Sequence, residues 1–261
     1  MIEKKPKTVK KSGLMQQGLR LNKFLAARTG VSRREADGII KEGRIIINGK
    51  SVKNLATFVN TGDEVSFDGK KIVYKAEPPV YIMLNKPQGY ITAVKSESGF
   101  KTVMELIKKE TLSHKHIFPV GRLDFMSEGL LLLTNDGDFT YKATHPKFNV
   151  VKSYIVEVKG ELTDELLKKI KKGINLEETG LMKPQDVRVV NKKSGKFILS
   201  ISLNHGKNRE IRRLLEFFNL KIMMLKRVGI GGLYIGDLPS GQYRILNKKV
   251  AELIFKKKIN E

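Results

Sequence analysis

The apolar positions of the chain fall into short runs of two periodicities, which predict strands and helices. VYIMLNKP, GLLLLTND, KSYIVEVKG, DVRVV, KFILSISLN and KIMMLKRVGI are typical of β-strands. TVMELIKKE, TDELLKKIKKG, NREIRRLLEFF and NKKVAELIFKKK are typical of helices. Because the two kinds interleave irregularly and several strands are neighbours in sequence, we predict an α+β fold with a mixed, mainly antiparallel sheet.

The amino-terminal part predicts a small unit of two helices followed by a hairpin. LRLNKFLAARTG places its leucines and phenylalanine on one helical face and ends at a glycine. SRRE follows, with Ser32 as the N-cap and Glu35 three residues later, which is the signature of a capping box. RIIING then predicts a short strand that enters an Asn-Gly hairpin turn, and DEVSFDGKKIVY predicts another strand and an Asp-Gly turn.

Changes in composition indicate the domain boundaries. Residues 1–18 are polar and rich in lysine, which predicts a disordered basic tail. The segment KAEPPV contains two prolines and predicts a linker at residues 76–80. We therefore predict a small domain over residues 19–75 and a larger domain over residues 81–261.

The charge of the chain points to a polyanionic partner. Fifty lysines and arginines against 27 acidic residues give a formal net charge of +23, and nucleic acid is the commonest partner of such a field. The alternative is a surface of solvated lysines with no partner. Two short helices around a tight turn suit contacts with a phosphate backbone. The candidate cations of the small domain are Lys23, Arg28, Arg33, Arg34, Lys41, Arg44 and Lys50.

Several function classes lack their sequence signatures. The chain has no cysteine, so disulfides and thiolate metal sites are excluded. No phosphate-binding GxxxxGK[ST] motif, dinucleotide GxGxxG motif or HExxH metal motif occurs. NDGD is typical of a polar turn before a helix rather than a calcium loop. Without a membrane span or a secretory signal, we expect a cytoplasmic protein. We also expect a monomer that uses no metal and no cofactor.

The segment GRLDFMSEGLLLLTNDG raises a question about chemistry. Arg122 and Asp124 stand just before the apolar run Leu130–Leu133, which predicts a buried strand. An aspartate close to glycines and followed by Ser127 is usually a turn or cap residue. From this segment alone, a turn residue is the first interpretation of Asp124.

Two other segments supply possible partners for Asp124. In KNREIRRLLEFFNL the apolar stripe begins at Ile211, and Arg209 and Arg213 lie opposite it, facing RNA phosphate or water. Arg212 lies at the edge of the stripe, where a semi-buried guanidinium needs an anionic partner. In KSYIVEV, Tyr154 is either a sheet-packing residue or a ring that stacks on a nucleobase.

With these motifs the sequence resembles the pseudouridine synthases of the RsuA/RluB family. GRLDFMSEGLLLLTNDGD looks like the family signature, and LNKPQG, KSYIVEV, GKNREIRRLLE and LKRVGIGGL match its other blocks in order. RLNKFLA, SRREAD and GRIIINGK resemble the RNA-binding domain of the ribosomal-protein-S4 type. The resemblance covers nearly all of residues 19–246.

The resemblance implies a role for each candidate site residue. Asp124 aligns with the essential aspartate of the family. Tyr154 aligns with the tyrosine that packs on the target base, and Arg212 with the basic residue that pairs with the aspartate. Ile211 aligns with the apolar residue beside that basic residue. Arg122 aligns with an arginine that helps to hold the base out of its stack.

The function implied is the isomerisation of a uridine to pseudouridine in ribosomal RNA. The blocks THPKFNVVKSY and GKNREIRRLLE favour the large-subunit (23S) type, acting on rRNA or on a ribosome assembly intermediate. Glu210 stands where many relatives have glutamine, a variant that also occurs within the family. The alternatives are a small-subunit (16S) enzyme and a non-catalytic RNA-binding or ribosome-assembly factor, which would not require Asp124.

Overall fold

A computed structural model describes residues 18–72, 78–112, 116–178, 180–193 and 195–256 of the chain. The chain divides into two compact units, residues 1–76 and 77–261. The predicted tail lies outside the described residues except for Gly18, and the predicted linker lies outside them in part. Within the described ranges, no helix is long and apolar enough to cross a membrane.

The first unit contains two helices and six short strands in its described part. The helices are α1 (Leu21–Thr29) and α2 (Arg33–Lys41). The strands are β1 (Leu19–Arg20), β2 (Ile45–Ile47), β3 (Lys50–Val52), β4 (Phe58–Val59), β5 (Val65–Phe67) and β6 (Lys70–Lys71). Four of these strands form one sheet in the order β3-β2-β5-β6, and β1 pairs with β4.

The local signals of the first unit produce the predicted elements. Gly30 adopts a left-handed conformation (φ 83°) at the end of α1. The Ser32 hydroxyl accepts a hydrogen bond from the Glu35 amide, and the Glu35 carboxylate accepts one from the Ser32 amide, so the capping box is confirmed. The Asn48-Gly49 turn has positive φ at both residues, as the predicted hairpin requires.

The second unit contains eleven strands and five α-helices among the residues described. The strands are β7 (Tyr81–Lys86), β8 (Phe118–Val120), β9 (Glu128–Thr134), β10 (Lys152–Lys159), β11 (Ile174–Leu176), β12 (Gly180–Met182), β13 (Asp186–Lys193), β14 (Lys196–Leu203), β15 (Lys221–Ile230), β16 (Leu233–Tyr234) and β17 (Tyr243–Leu246). The helices are α3 (Lys109–Leu112), α4 (Gly137–Thr144), α5 (Asp164–Lys172), α6 (Glu210–Phe217) and α7 (Lys248–Ala251). Three 3₁₀ helices span Val103–Leu106, Pro146–Phe148 and Glu252–Phe255.

One mixed sheet organises the second unit. Its path is β13-β14-β10-β15-β9-β7-β17, with β16 added beside β15 and β8 beside β9. All of these pairs are antiparallel except that of β15 with β9, which is parallel. The predicted α+β class with a mainly antiparallel sheet is therefore confirmed. The parallel pair joins the half of the sheet that carries GRLD to the half that carries KSY.

Strands β7 and β9 are buried on both faces, which explains their uninterrupted apolar sequences. Leu130 and Leu132 belong to one core with Met83, while Leu131 and Leu133 belong to another on the opposite face. Each fully buried leucine stabilises the fold by about 1.5–3 kcal/mol. The run that follows GRLD is therefore a rigid central strand, and it holds the preceding turn in place.

Two helix-like sequence runs are shorter and less regular than predicted. TVMELIKKE forms a 3₁₀ turn (Val103–Leu106) followed by α3, because Ile107 between them is extended and buried. NKKVAELIFKKK forms α7, which Asn247 caps, and a 3₁₀ turn that ends at Phe255. In the first run, burial of Ile107 in the core overrides the helical periodicity.

Candidate active site

The GRLD segment forms a turn that its neighbours fix on two sides. The amide of Ser127 donates to the carbonyl of Asp124 (3.0 Å), which closes the turn before β9 begins. The Thr92 hydroxyl donates to the carbonyl of Leu123 (2.7 Å) and accepts from the Leu123 amide (3.2 Å). The backbone that carries Asp124 is therefore held by hydrogen bonds from both flanks.

A fully buried lysine holds the inner side of this turn. Lys86, at the end of β7, has no solvent exposure, and its ammonium donates to the carbonyls of Ser127 (2.7 Å), Pro87 (3.0 Å), Asp124 (3.1 Å) and Phe125 (3.3 Å). Burial lowers its pKa to about 8, since the charged form loses its hydration. Lys86 was not among the predicted site residues, although a lysine at the end of an otherwise apolar strand could have indicated a buried charge there.

Asp124 pairs with the arginine that the helix stripe leaves at its edge. Arg212 Nε lies 3.5 Å from Asp124 Oδ2, close enough for an ion pair, although Nε makes no hydrogen bond. The Arg212 side chain is 11% exposed and that of Asp124 37%. Arg212 Nη2 donates to the carbonyl of Met126 (3.0 Å) and to the hydroxyl of Ser127 (3.1 Å). Arg212 thus connects α6 to the turn and to its carboxylate.

One cavity of about 540 Å³ brings all five predicted site residues together. Asp124, Arg122, Tyr154, Ile211 and Arg212 all line it. Tyr154 is half-buried on β10, where its ring packs against two apolar cores of the unit. Ile211 is buried in the first turn of α6, and Arg122 is exposed. The cavity therefore offers a carboxylate, an aromatic ring and an apolar wall to a planar ligand.

The loop before α6 is shaped by a buried carboxylate. Glu210 is 3% exposed, and His205 Nδ1 lies 2.8 Å from its carboxylate. The same carboxylate accepts a hydrogen bond from the amide of Lys207 (3.1 Å). Arg209 follows in a left-handed conformation (φ 49°) at the helix N-cap. His205 lines the cavity as well, and sequence reasoning missed it because it lies outside the recognised blocks.

Lys152 and Arg227 also line the cavity, and we did not predict either of them. Lys152 opens β10 two residues before Tyr154, and Arg227 lies on β15 directly opposite Tyr154. Burial, and then the nearby charge of Arg227, lower the pKa of Lys152 to about 8. The lysine of the KSY block and the arginine of the LKRVGIGGL block were the available sequence signals, but no local pattern shows that the two side chains line one cavity.

The predicted RNA-binding cations of the first unit differ in their surroundings. Arg33, Arg34, Lys41 and Lys50 are exposed, and Lys23 is half-buried. Arg28 and Arg44 have partners within the unit. Arg28 donates to the Phe24 carbonyl (3.2 Å) and lies over that ring, and Arg44 donates to Asp68 and Glu42. An RNA-binding role for these seven residues stays a prediction.

The two predicted RNA-binding arginines near α6 separate in the structure. Arg209 lines the cavity and lies 3.9 Å from Glu216. Arg213 lies outside the cavity lining and 3.6 Å from Glu178. In the described part of the chain, no group of three or more His, Asp and Glu side chains is arranged to hold a metal ion.

The comparisons with known proteins agree with this arrangement. Residues 80–217, more than half of the chain, match the family model described as RNA pseudouridylate synthase, and residues 19–65 match the S4 domain. An RNA pseudouridine synthase of Aquifex aeolicus is 40% identical over 240 residues, which cover 91% of this chain and 94% of the relative. The ribosomal large subunit pseudouridine synthase B of Bacillus subtilis is 39% identical over 225 residues, 84% of this chain and 90% of the relative.

A solved structure supports the fold as well. A crystal structure described as that of a pseudouridylate synthase superposes with a TM-score of 0.65 at 27% identity, covering 90% of this chain and 99% of the other. The sequence match spans GRLD, KSY and the α6 block, which are the segments that meet at the cavity. The chain therefore belongs to the RNA pseudouridylate synthase family and carries an S4 domain before its catalytic part.

Proposed function

We propose that the protein isomerises a specific uridine of ribosomal RNA to pseudouridine, with Asp124 as the catalytic carboxylate. The observation that carries the proposal is the position of Asp124. Its backbone is held by Lys86, its side chain is paired with Arg212, and it shares a cavity with Tyr154. A turn residue with no chemical role needs neither a buried lysine nor a guanidinium partner.

The chemistry explains the residues of the cavity. Isomerisation breaks the bond between N1 of uracil and C1′ of ribose, turns the ring, and joins C5 to C1′. A stacked base cannot turn, so the nucleotide must leave its helix at a free energy of a few kcal/mol. In the proposal, Tyr154 packs on the extruded ring, and Arg122 at the exposed rim occupies the space that it leaves. Asp124 acts on the ribose side of the bond that breaks.

The charge on Asp124 is part of the mechanism. A carboxylate acts as a nucleophile or a base only when ionised, and the Arg212 guanidinium lies 3.5 Å from that of Asp124. Ile211 supplies apolar wall beside it, which keeps water away from part of the cavity. Arg212 is held by two further hydrogen bonds, so its charge is positioned before the substrate arrives.

The proposed substrate is ribosomal RNA, and large-subunit (23S) rRNA in particular. The B. subtilis relative that is named as a large-subunit enzyme supports this choice, and the net charge of +23 supports a polyanionic substrate. The S4 domain, taken as residues 19–75, contributes affinity through its exposed cations. We propose that the protein acts as a monomer in the cytoplasm, where ribosomes are assembled.

Mapping of pseudouridine in rRNA from cells with and without the gene tests the proposal. We expect one or a few sites in 23S rRNA to disappear with the gene and to return with the wild-type gene. The Asp124→Asn variant should bind RNA with unchanged affinity and fail to restore the sites. If Asp124→Asn restored them, the catalytic assignment would be wrong. A loss of sites only from 16S rRNA would identify small-subunit rRNA as the substrate instead. An unchanged map would favour a non-catalytic RNA-binding factor.

A further inference from the structure

The inner wall of the active-site cavity carries two positive charges that the mechanism above does not use. Lys152 and Tyr154 are two residues apart on β10 and therefore point to the same face of the sheet. Arg227 pairs with Tyr154 across β10 and β15, and directly opposite side chains share a face. All three residues line the cavity, so the two cations lie beside Tyr154 in its wall.

Arg227 is buried without a complete set of partners. It is 4% exposed, and its Nε donates to the carbonyl of Leu130 (2.7 Å), which fixes the guanidinium against β9. Its Nη2 is buried and makes no hydrogen bond with any residue that the structure describes. An unpaired buried donor is unfavourable, and most buried donors in proteins are satisfied. Arg227 therefore leaves one unsatisfied guanidinium donor in a residue that lines the cavity.

Lys152 is partly buried with no anionic partner at ion-pair distance. Within the described ranges, the Lys152 ammonium makes no hydrogen bond and has no carboxylate within 4 Å. Lys86, in contrast, has four carbonyl acceptors. The carboxylate whose charge acts on it is that of Glu210, which His205 and the Lys207 amide already engage. Burial and Arg227 both disfavour its charged form. Two like charges in a partly desolvated wall destabilise the free protein.

We propose that Lys152 and Arg227 form a subsite for the detached uracil and stabilise the negative charge that it acquires when the glycosidic bond breaks. This inference rests on the proposed function. The N1–C1′ bond breaks with its electron pair on uracil, and the charge spreads over N1, O2 and O4. C5 then bonds to C1′, the proton on C5 is lost to water, and N1 takes a proton from water. No atom is gained or lost overall.

The depth of the wall favours the base over a phosphate as the anion. A phosphodiester continues along the chain in both directions, so it stays at the mouth of a cavity. Arg227 is almost completely buried in the cavity wall, so only a group that enters the cavity can come close to its guanidinium. The uracil ring enters in the proposed mechanism, and its carbonyl oxygens accept hydrogen bonds from guanidinium and ammonium donors.

The variants Lys152→Met and Lys152→Arg test the subsite in the full-length protein. Single-turnover rates are measured at saturating protein on an rRNA fragment that contains the mapped uridine, and affinity is measured by filter binding. We expect Lys152→Met to lower the rate about 100-fold, the size of effect that follows when one donor to a developing anion is removed. The dissociation constant should stay within about 3-fold of wild type, since the ground state is neutral. Lys152→Arg should retain most of the rate.

Two readouts separate this role from a structural one. The wild-type rate should fall as the pH rises above about 8, because Lys152 loses its proton there. With Lys152→Arg the rate should stay level through that range. The second readout uses RNA that carries 5-fluorouridine, in which fluorine itself stabilises the uracil anion. On this RNA, Lys152→Met should lower the rate of base rearrangement by a smaller factor than on uridine RNA. Lys159→Met, at the exposed far end of the same strand, is the matched control.

Each contrary result has a definite meaning. A Lys152→Met protein with the wild-type rate overturns the subsite while the proposed function stands. An unchanged rate at saturation with a raised dissociation constant overturns it in favour of binding to a phosphate. An equal decrease on uridine and 5-fluorouridine RNA also overturns it, because the charge on uracil would then not be involved. A wild-type protein that forms no pseudouridine overturns the proposed function and the subsite together.

Discussion

Arg212 and Asp124 form an ion pair across the cavity, with Arg212 Nε 3.5 Å from Asp124 Oδ2. The same guanidinium donates to the Met126 carbonyl and the Ser127 hydroxyl, so it binds the turn as well as its carboxylate. Arg212 comes from the first turn of α6, and Asp124 from the loop before β9. The carboxylate that we propose as catalytic is thus positioned by a residue far away in sequence, and the site depends on the packing of α6.

The first prediction concerns Arg212. Arg212→Met should lower the single-turnover rate about 100-fold, because it removes the charge beside Asp124 and two hydrogen bonds to the turn. Arg212→Lys should recover only part of the rate, since an ammonium cannot reproduce the hydrogen bonds of a planar guanidinium. Arg188→Met, which removes a surface arginine of β13, is the control. A wild-type rate for Arg212→Met would contradict the role of the pair.

The second prediction concerns stability and pH. The pKa of Lys152 is about 8 in the folded protein and near its ordinary value of 10.5 in the unfolded chain. Below pH 8 both states are protonated, and the folded state bears the penalty of a partly desolvated charge. Between pH 8 and 10.5 the unfolded state binds more protons, so the stability contributed at this site rises with pH.

Lys152→Met should therefore unfold at a higher temperature than the wild type at pH 7, by an amount that shrinks toward pH 10. Replacing a desolvated charge by an apolar side chain of similar length is often stabilising. Thermal unfolding of both proteins across this range, followed by circular dichroism, provides the measurement. A difference that stays constant with pH would show that Lys152 does not titrate in this window.

The third prediction concerns Gly129, where β9 meets β15. Gly129 has φ +104°, and a Cβ atom there would lie 2.2 Å from the Arg227 carbonyl oxygen. Gly129→Ala should therefore lower the free energy of unfolding by about 1–3 kcal/mol or more. It should also displace Arg227 and so change the shape of the cavity. Gly137→Ala is the control, because a Cβ at Gly137 has no neighbour within 4 Å and its φ is not positive. Denaturant unfolding of both variants measures the difference in the free energy of unfolding. Equal values would contradict the close approach of Gly129 to the backbone of Arg227.

The fourth prediction concerns the S4 domain. Arg33 and Arg34 are exposed at the start of α2, and the double variant Arg33→Glu/Arg34→Glu should weaken binding to the rRNA fragment. The slope of log affinity against log salt should fall by about 1 for each phosphate that the variant no longer binds. The rate at saturating protein should stay unchanged, because the chemistry occurs in the other unit. Filter binding at several salt concentrations measures the slope, and an unaltered slope would exclude both arginines from the RNA interface.

The local features of the fold were predictable because each depends on a few neighbouring residues. The capping box needs only Ser32 and Glu35 at the right spacing, and the Asn48-Gly49 turn needs only residues that tolerate positive φ. The apolar run after GRLD predicted a buried strand, and β9 is buried on both faces. Burial of Ile107 is a tertiary effect, and it broke the predicted helix over TVMELIKKE.

The sequence by itself determined the type of most local elements, and the resemblance of its motifs pointed to Asp124, Arg212 and Tyr154. Only the tertiary structure decided which charges surround them. The order β10-β15-β9 brings Arg227 beside Tyr154 and Lys152, and the pairing of β7 with β9 buries Lys86 under the GRLD turn. The physical reason is that hydrogen bonds within a turn or cap are set by short spacing. The burial of a charge instead depends on which distant strands become neighbours, and no local pattern encodes that.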